Sequence, residues 1–372
     1  MKILFFLVHP AKFHFHRVQI NELLARGHDV EVLIIKKDIL EDLVKEEGWE
    51  YTNIFPKGRK IAGLHIYLAA VFNIIRTVYR LHKYTRGRDY DLFVGDALTM
   101  LGRLKRVPSL YPTDDDLATV PQQEIFWVPA HHVIAPAVMG VGKYKYKSIE
   151  YDGYKALAHL HPNYFTPDRT RLANGVSNRE PFFLIRLCHY ASHHDIGRTG
   201  IGDEVLRKLV AMLERRGKIL ITSERALPKE LEKYRMTIRK NDISHYLYFA
   251  TLFISDSTTM SSEAAILGTP AIEFDNWWEE LPQMVELHEK YQLIFGIKTT
   301  NQDALFEKVD ELLSQTSDLK SEFLRRRDRL LADKIDVSAF LIWFMENYPR
   351  SAMTLTEEPD YQKRFKQSAV LI

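Results

Sequence analysis

The sequence predicts an α/β fold made of two doubly wound parallel-sheet domains. Three observations carry this. At 372 residues the chain exceeds what one hydrophobic core usually holds and suits two domains of about 150–200 residues each. It opens with the continuous apolar run ILFFLV, an amphipathic stretch and then DVEVLII, the pattern of a βαβ unit whose strands are covered on both faces. The pattern restarts at PFFLIRLC, after a break rich in Pro and Asn that starts at HPNYFTPD and runs through RLANGVSNREP. The expected division is residues 1–165, residues 180–335, and a C-terminal helix and tail over 336–372.

Lys and Arg number 51 against 49 Asp and Glu, a formal net charge of +2, so the pI near 8.3 makes no case for a nucleic-acid partner. The single cysteine, Cys188, excludes an internal disulfide and reads as a buried strand residue in a reducing compartment. The first apolar run stops at His9 and Pro10, too short for a signal-peptide core or a membrane span. The expected location is cytoplasmic, with contact at the inner membrane face as the peripheral alternative.

In chain order, HPAKFHFH after the first strand reads as a polar loop. In doubly wound sheets ligands lie beyond the carboxyl ends of the strands, so His9, His14 and His16 are expected to face that cleft. RVQINELLARGH then reads as a helix stopped by Gly27. Residues 61–84 form a long helical pattern rich in apolar and aromatic residues. It reads as a packed core helix; the alternative is a surface helix that touches membrane or a lipid-linked acceptor. DLFVGD and PSLYPT are strands with acidic ends, Asp96 and the run Asp114, Asp115, Asp116. FWVPAHHVIAP resembles a further strand, followed by an irregular stretch in which Lys143, Lys145 and Lys147 alternate with aromatics.

In the second half, KILITSE and TLFISD read as strands, DEVLRKLVAMLERRG as a helix, and the chain from Asn301 as mostly helical, with a polar tail after Pro349. The most informative stretch is SDSTTMSSEAAILGTPAIEF, residues 255–274. Hydroxyl residues crowd a turn into a helix that Gly268 and Pro270 stop. A helix N-terminus offers unpaired N–H groups and the positive end of a dipole, which suit phosphate. Glu263 would accept from ribose hydroxyls.

DSTTMSSEAAILGTPAI resembles the nucleotide-sugar signature of two-domain glycosyltransferase-B enzymes, which implies two Rossmann-like domains facing a cleft. It is also similar to the non-hydrolysing UDP-N-acetylglucosamine 2-epimerases. That resemblance places diphosphate contacts on Ser257, Thr258 and Thr259, with Ser262 beside them, and the ribose contact on Glu263. It puts a catalytic aspartate at Asp96, through VGDALTM, and its acidic partner at Asp114, through YPTDDD. The loop after the second domain's first strand falls on His193, His194 and Asp195, without the Arg-Arg-Glu of the epimerases. YDGYKALAHLHPNYFTPD, FLIRL with HHDIGRTGIG, and TMSSEAAILGTP resemble domain of unknown function family 354.

The expected function is a nucleotide-sugar-dependent glycosyltransferase, the sugar UDP-linked, serving surface polysaccharide or glycolipid synthesis. The alternative is a nucleotide-sugar 2-epimerase or hydrolase using Asp96 and Asp114. His14, His16, Asp96 and His194 are the acid/base candidates. Arg186, Arg198 and the amides near Gly197 would balance leaving-group charge. No cofactor or metal is implied. A metal-dependent hydrolase built on His189, His193, His194 and Asp195 with His131 or His132 is a third reading. Trp277 and Trp278 would either stack on a base or sugar or seal a domain edge.

Overall fold

The computed structural model describes residues 1–59, 66–173, 175–176, 180–189, 197–314 and 318–366. The chain divides into two compact units, Met1–His159 with Ile335–Gln367 and Leu160–Lys334 with Ser368–Ile372. It changes unit just ahead of the proline-rich break, and the helices after Lys334 belong to the first unit.

The first unit runs β1 (Lys2–Leu7), α1 (Pro10–Ala25), β2 (Asp29–Ile35), α2 (Leu40–Glu46), β3 (Tyr51–Phe55), α3 (Ile66–Tyr84), β4 (Leu92–Val94), α4 (Leu98–Lys105), β5 (Ser109–Pro112), α5 (Glu124–Trp127), β6 (His132–Pro136), β7 (Ser148–Tyr151) and α6 (Leu157–Leu160). The strands form one parallel sheet in the order β3-β2-β1-β4-β5-β6-β7. In its middle, Phe5 of β1 lies opposite Val32 of β2 and Val94 of β4. Right-handed crossovers put α1 and α2 on one face and α3, α4 and α5 on the other. Accordingly α1 packs on α2, α3 on α4, and α4 on α5.

Local chemistry corrects the expected loop after β1. His9 is an N-cap whose Nδ1 accepts from Ala11 N at 3.2 Å, and Pro10 fills the first helical position, where no donor is needed. The helix therefore begins at once and carries His14 and His16. Two residues apart on a helix, they point about 200° from each other and cannot share one face. Three further expectations change. FWVPAHHVIAP is a helical turn, then a strand from His132. The irregular stretch after it contains a 3-10 turn, Gly142–Lys147, and β7. The long apolar helix, described from Ile66, is not packed all round: one row of its large side chains is exposed.

The second unit runs β8 (Phe182–Leu187), α7 (Asp203–Leu213), β9 (Lys218–Ser223), α8 (Ile243–Phe249), β10 (Leu252–Ser255), α9 (Thr258–Ile266), β11 (Ala271–Phe274), α10 (Pro282–Glu289), β12 (Ile294–Ile297), α11 (Gln302–Ser314) and α12 (Leu319–Asp333). Its parallel sheet has the order β12-β11-β10-β8-β9.

The polar tail is structured as far as Lys366. α13 (Val337–Glu346) lies along α1, where Gln19 Nε2 donates to Ser338 Oγ at 3.4 Å and Ser338 Oγ donates to Ala158 O at 2.6 Å. α14 (Arg350–Glu357) and a 3-10 turn, Pro359–Phe365, follow. Tyr361 stacks on Trp343 with ring centroids 4.7 Å apart, and Phe365 packs on Phe340 and Trp343. Tyr361 and Phe365 sit among charged neighbours, so hydropathy hid them.

One glycine fixes how β4 ends. Gly95 has φ +129°, and a Cβ there would stand 2.6 Å from the carbonyl oxygen of Phe6 in β1. Gly95→Ala is expected to cost roughly 1–3 kcal/mol in urea unfolding, as a strained backbone position does. Gly27→Ala, also at positive φ but with nothing within 4 Å of its Cβ, should cost only about 1 kcal/mol. Equal losses would mean that the approach of β1 to Gly95 does not matter.

Candidate functional site

In each sheet the strand order reverses at one place, and there the crossover helices leave in opposite directions, opening a crevice at the carboxyl ends. In the first unit the reversal lies between β1 and β4. His9 follows β1, Gly95 and Asp96 follow β4, and Thr113 and Asp114 follow β5. The two carboxylates singled out from the sequence thus end adjacent strands.

Their environments push them apart. Burial raises the Asp96 carboxyl above the ordinary aspartate range; the charges of Lys12 and Arg59 only partly offset it. Burial would raise Asp114 too, but Lys155 Nζ stands 2.7 Å from its Oδ1 and, with Lys12, holds it below the ordinary range. Lys12 is fixed by donating to Pro112 O and lies over the Tyr111 ring, 5.3 Å from its centroid. Sequence reading missed Lys12, Arg59 and Lys155. No periodic signal marks them, because helix α1, the turn after β3 and the segment before α6 are brought together only by the fold.

His14 is half-buried, 5.5 Å from the His159 ring. Burial first, then the neighbouring His159, Arg17 and Lys155, bring it down to about 3, so it is neutral at physiological pH. His16 is buried against Phe5 and Phe15, and its Nδ1 meets Gln19 Oε1 at 2.7 Å. Burial likewise brings it to about 3. It belongs to the packing of α1, a correction to its expected place facing the ligand. His131 receives Ser109 N at its Nδ1, and His132 packs on Phe344 and Tyr348.

In the second unit the reversal lies between β8 and β10, and α9 starts there. Ser257 is the N-cap, yet its side chain makes no cap bond; its N–H donates instead to Ser255 Oγ at 2.7 Å. No hydroxyl of the cap covers the first-turn amides of α9. The hydroxyls then sort by face. Ser261 Oγ donates to the buried Glu273, and Ser262 Oγ donates to Thr258 O at 2.8 Å and touches Met284 Sδ. Ser262 therefore points into the helix packing, away from where a ligand contact was expected. Thr259 is exposed and Glu263, one turn on, shares its face.

Asp256 closes the crevice from beneath, its Oδ1 accepting from Cys188 N at 2.7 Å and its Oδ2 from Ile201 N at 3.1 Å. Burial pushes it up to about 6 despite those donors. Arg186 is occupied by Glu224 and by Thr222 Oγ1 on the β9 side, and His189 N also donates to Glu224. Cys188, expected as a buried strand residue, follows β8 and is half-buried; burial pushes its thiol up to about 12. Gly197 has φ +82°, and Asn276 clamps its loop, donating from Nδ2 to Gly197 O at 3.0 Å and receiving Thr199 N at 2.8 Å. Arg198 lies 3.7 Å above the Trp277 ring, whereas Trp278 is buried against Gly296 and His288. His193, His194 and Asp195 lie outside the described residues, and so does the core of the metal reading. Among the described residues no group of three or more His, Cys, Asp or Glu is placed to hold a metal ion.

Behind α9 two buried carboxyls meet. Glu273 Oε1 and Asp275 Oδ2 have no other donor among the described residues, while Asp275 Oδ1 accepts from Trp277 N and Trp278 N. One proton shared between the pair satisfies both, and burial together with the Asp275 charge raises Glu273 well above its ordinary value. An acid whose folded pKa is raised holds its proton where the unfolded chain has lost it. Its stabilisation is present below the unfolded value and is lost as pH rises toward the folded one. Glu273→Gln keeps a donor for Asp275 and an acceptor for Ser261 without titrating. The fall in urea midpoint on going upward from pH 4.5 should therefore be shallower in Glu273→Gln than in the parent. Parallel curves would remove the shared proton.

Comparison with solved structures places both units in known company. The glycosyltransferase of kitacinnamycin matches with a TM-score of 0.58 at 15% identity, over 94% of this chain and 99% of that one. The UDP complex of S. aureus MnaA matches with a TM-score of 0.63 at 11% identity, over 94% and 98%. The UDP-GlcNAc 2-epimerase of Methanocaldococcus jannaschii matches with a TM-score of 0.60 at 13% identity, over 83% and 92%. At these identities the likeness is one of fold: two parallel-sheet α/β domains, as in glycosyltransferase-B enzymes and 2-epimerases. No curated protein sequence matches the chain. The family model described as protein of unknown function (DUF354) matches residues 3–305, and the chain belongs to that family.

Proposed function

We propose that the chain is a nucleotide-sugar-dependent enzyme, a glycosyltransferase of the B fold that uses a UDP-linked donor. The observation that carries this is the start of α9: its first-turn amides lie at the strand-order reversal of their sheet with no side-chain cap. The fold neighbours support the same reading, since one is a glycosyltransferase and another holds UDP.

In this reading the donor diphosphate lies on the α9 amides, the Thr259 hydroxyl adds a contact, and Glu263 receives the ribose hydroxyls. The helix dipole and Arg198 offset the charge on the departing nucleotide. Arg186 supports the strand end through Glu224. Asp96 is the general base for the acceptor hydroxyl: raised by burial, it binds a proton more tightly than an ordinary aspartate. Asp114 stays ionised beside Lys155, and neutral His14 serves as a hydrogen-bonding group. Roles for His193, His194 and Asp195 rest on the resemblance alone. A place in surface polysaccharide or glycolipid synthesis is part of the proposal, as is a cytoplasmic location.

A second reading has its own observation. Two carboxyls with opposed shifts on neighbouring strand ends are what proton removal and return at a sugar carbon requires. Incubation with UDP-N-acetylglucosamine in heavy water, without acceptor, separates the two. Deuterium at C2 of the sugar would establish the epimerase and end the transferase reading.

UDP should raise the melting temperature more than GDP, CDP or TDP. Glu263→Ala should weaken UDP about tenfold, as loss of a hydrogen bond to a charged group does, while the protein without nucleotide stays folded. Unchanged UDP affinity would remove the ribose role. Asp96→Asn is expected to lower kcat by about 10²–10⁴ with UDP binding intact. The acid limb of the parent pH profile should sit above the ordinary aspartate value of 3.8. A limb at or below it would take the base role from Asp96.

A further inference from the structure

Helix α3 carries a row of large apolar side chains that nothing in the described chain covers. Leu68, Val71, Phe72, Ile75 and Tyr79 are 63, 56, 50, 59 and 66% exposed. Their spacing of three and four residues places them on one stripe. The opposite face is accounted for: Thr77 and Leu81 are buried, and Val78, Leu81 and Tyr84 pack on the core formed by Leu4, Phe6 and Phe93. The neighbouring α4 and α5 extend the outer surface with exposed Leu104, Ile125 and Val128. Most of the exposed large apolar residues described in this chain thus lie in one helical layer.

The charge along α3 and the segment that leads into it is one-sided. Residues 51–88 contain eight Lys and Arg and not one Asp or Glu. The stretch contributes +8 to a chain of net charge +2, so the remainder carries −6. Arg76 and Arg80 lie over the Phe55 ring, and Arg88 pairs with Glu31. Lys57, Lys83 and Arg86 are exposed, and Lys83 and Arg86 continue the end of the apolar stripe. Cations in the last turn also complement the helix dipole, but that need is met within one turn and does not call for an acid-free run of this length.

We propose that the outer side of the α3–α4–α5 layer is a docking surface for an anionic lipid bilayer. The apolar stripe enters the acyl boundary while Lys57, Lys83 and Arg86 meet the headgroup charge. No described helix is long and apolar enough to cross a membrane, so the helix lies in the surface and does not span it. A second copy of the chain is the poorer occupant. A two-fold contact brings each patch against itself, and here that sets cations against cations. The proposal is independent of the nucleotide-sugar reading.

The test is sedimentation of the full chain with vesicles of phosphatidylcholine alone or mixed with phosphatidylglycerol. Binding should require phosphatidylglycerol and weaken with added salt. The triple variant Val71→Ser, Phe72→Ser, Ile75→Ser should lose it about tenfold or more, with circular dichroism unchanged because these side chains are exposed. Lys83→Gln and Arg86→Gln should each cost roughly fivefold and flatten the salt dependence. Ile75→Ser alone gives the same direction if the triple variant folds poorly. No preference for phosphatidylglycerol, or binding indifferent to both kinds of variant, overturns the proposal. So does a concentration-dependent dimer in analytical ultracentrifugation that the triple variant abolishes, which would make the face a self-association surface.

Discussion

A parallel strand covered on both faces has almost nowhere to expose a polar side chain except at its ends. β1, β4 and β10 are strands of that kind, with Leu4, Phe5, Leu92, Phe93, Leu252 and Phe253 fully buried. Polar chemistry is therefore driven to the strand ends, and the order of strands decides which end opens. Where consecutive crossovers leave in opposite directions no helix bridges the edge, and side chains from two strands can reach one ligand. Gly95 belongs to the same constraint, because the sheet brings β1 so near β4 that a side chain could not stand there.

The helix that starts at the second unit's reversal shows how one run of hydroxyl residues divides its labour. Ser261 and Ser262 face inward and their hydroxyls are taken by Glu273 and by the backbone of Thr258. Thr259 and Glu263 face outward. Had Ser257 capped the first turn with its side chain, as N-caps commonly do, the amides would be satisfied and an anion would have to displace that cap. The N–H of Ser257 bonding to Ser255 Oγ fixes the turn by another route. It leaves the first-turn amides without a side-chain cap among the described residues.

Much of this was legible in the sequence. Apolar runs gave the main strands, and the Gly and Asp that end β4 were readable as a strand end with a carboxylate. What failed did so for definable reasons. His14 and His16 were placed in a loop because HPAKFHFH looks polar; a proline at the first helical position turned the same residues into helix. The face of Ser262 could not be read because hydroxyl composition carries no direction until the helix register is fixed. Trp343, Tyr361 and Phe365 order the tail through ring packing between distant segments, which leaves no local period. The net charge of +2 concealed a segregated +8, since a sum over the chain discards position.

The contrast between Asp96 and Asp114 shows what decides the state of a buried carboxyl here. Both lose hydration, and both lie near Lys12. Cations at a distance do not settle the matter, because at an effective dielectric of about 20 a unit charge 8 Å away gives only about 2 kcal/mol. A contact at 2.7 Å both raises that interaction several-fold and supplies a charge-assisted hydrogen bond. Asp114 has such a contact and is ionised; Asp96 has cations without one and is raised. Two aspartates can therefore carry opposite proton duties, provided that one lysine, Lys155, reaches only one of them. The placement of Lys155 before α6 sets the asymmetry on which either proposed chemistry depends.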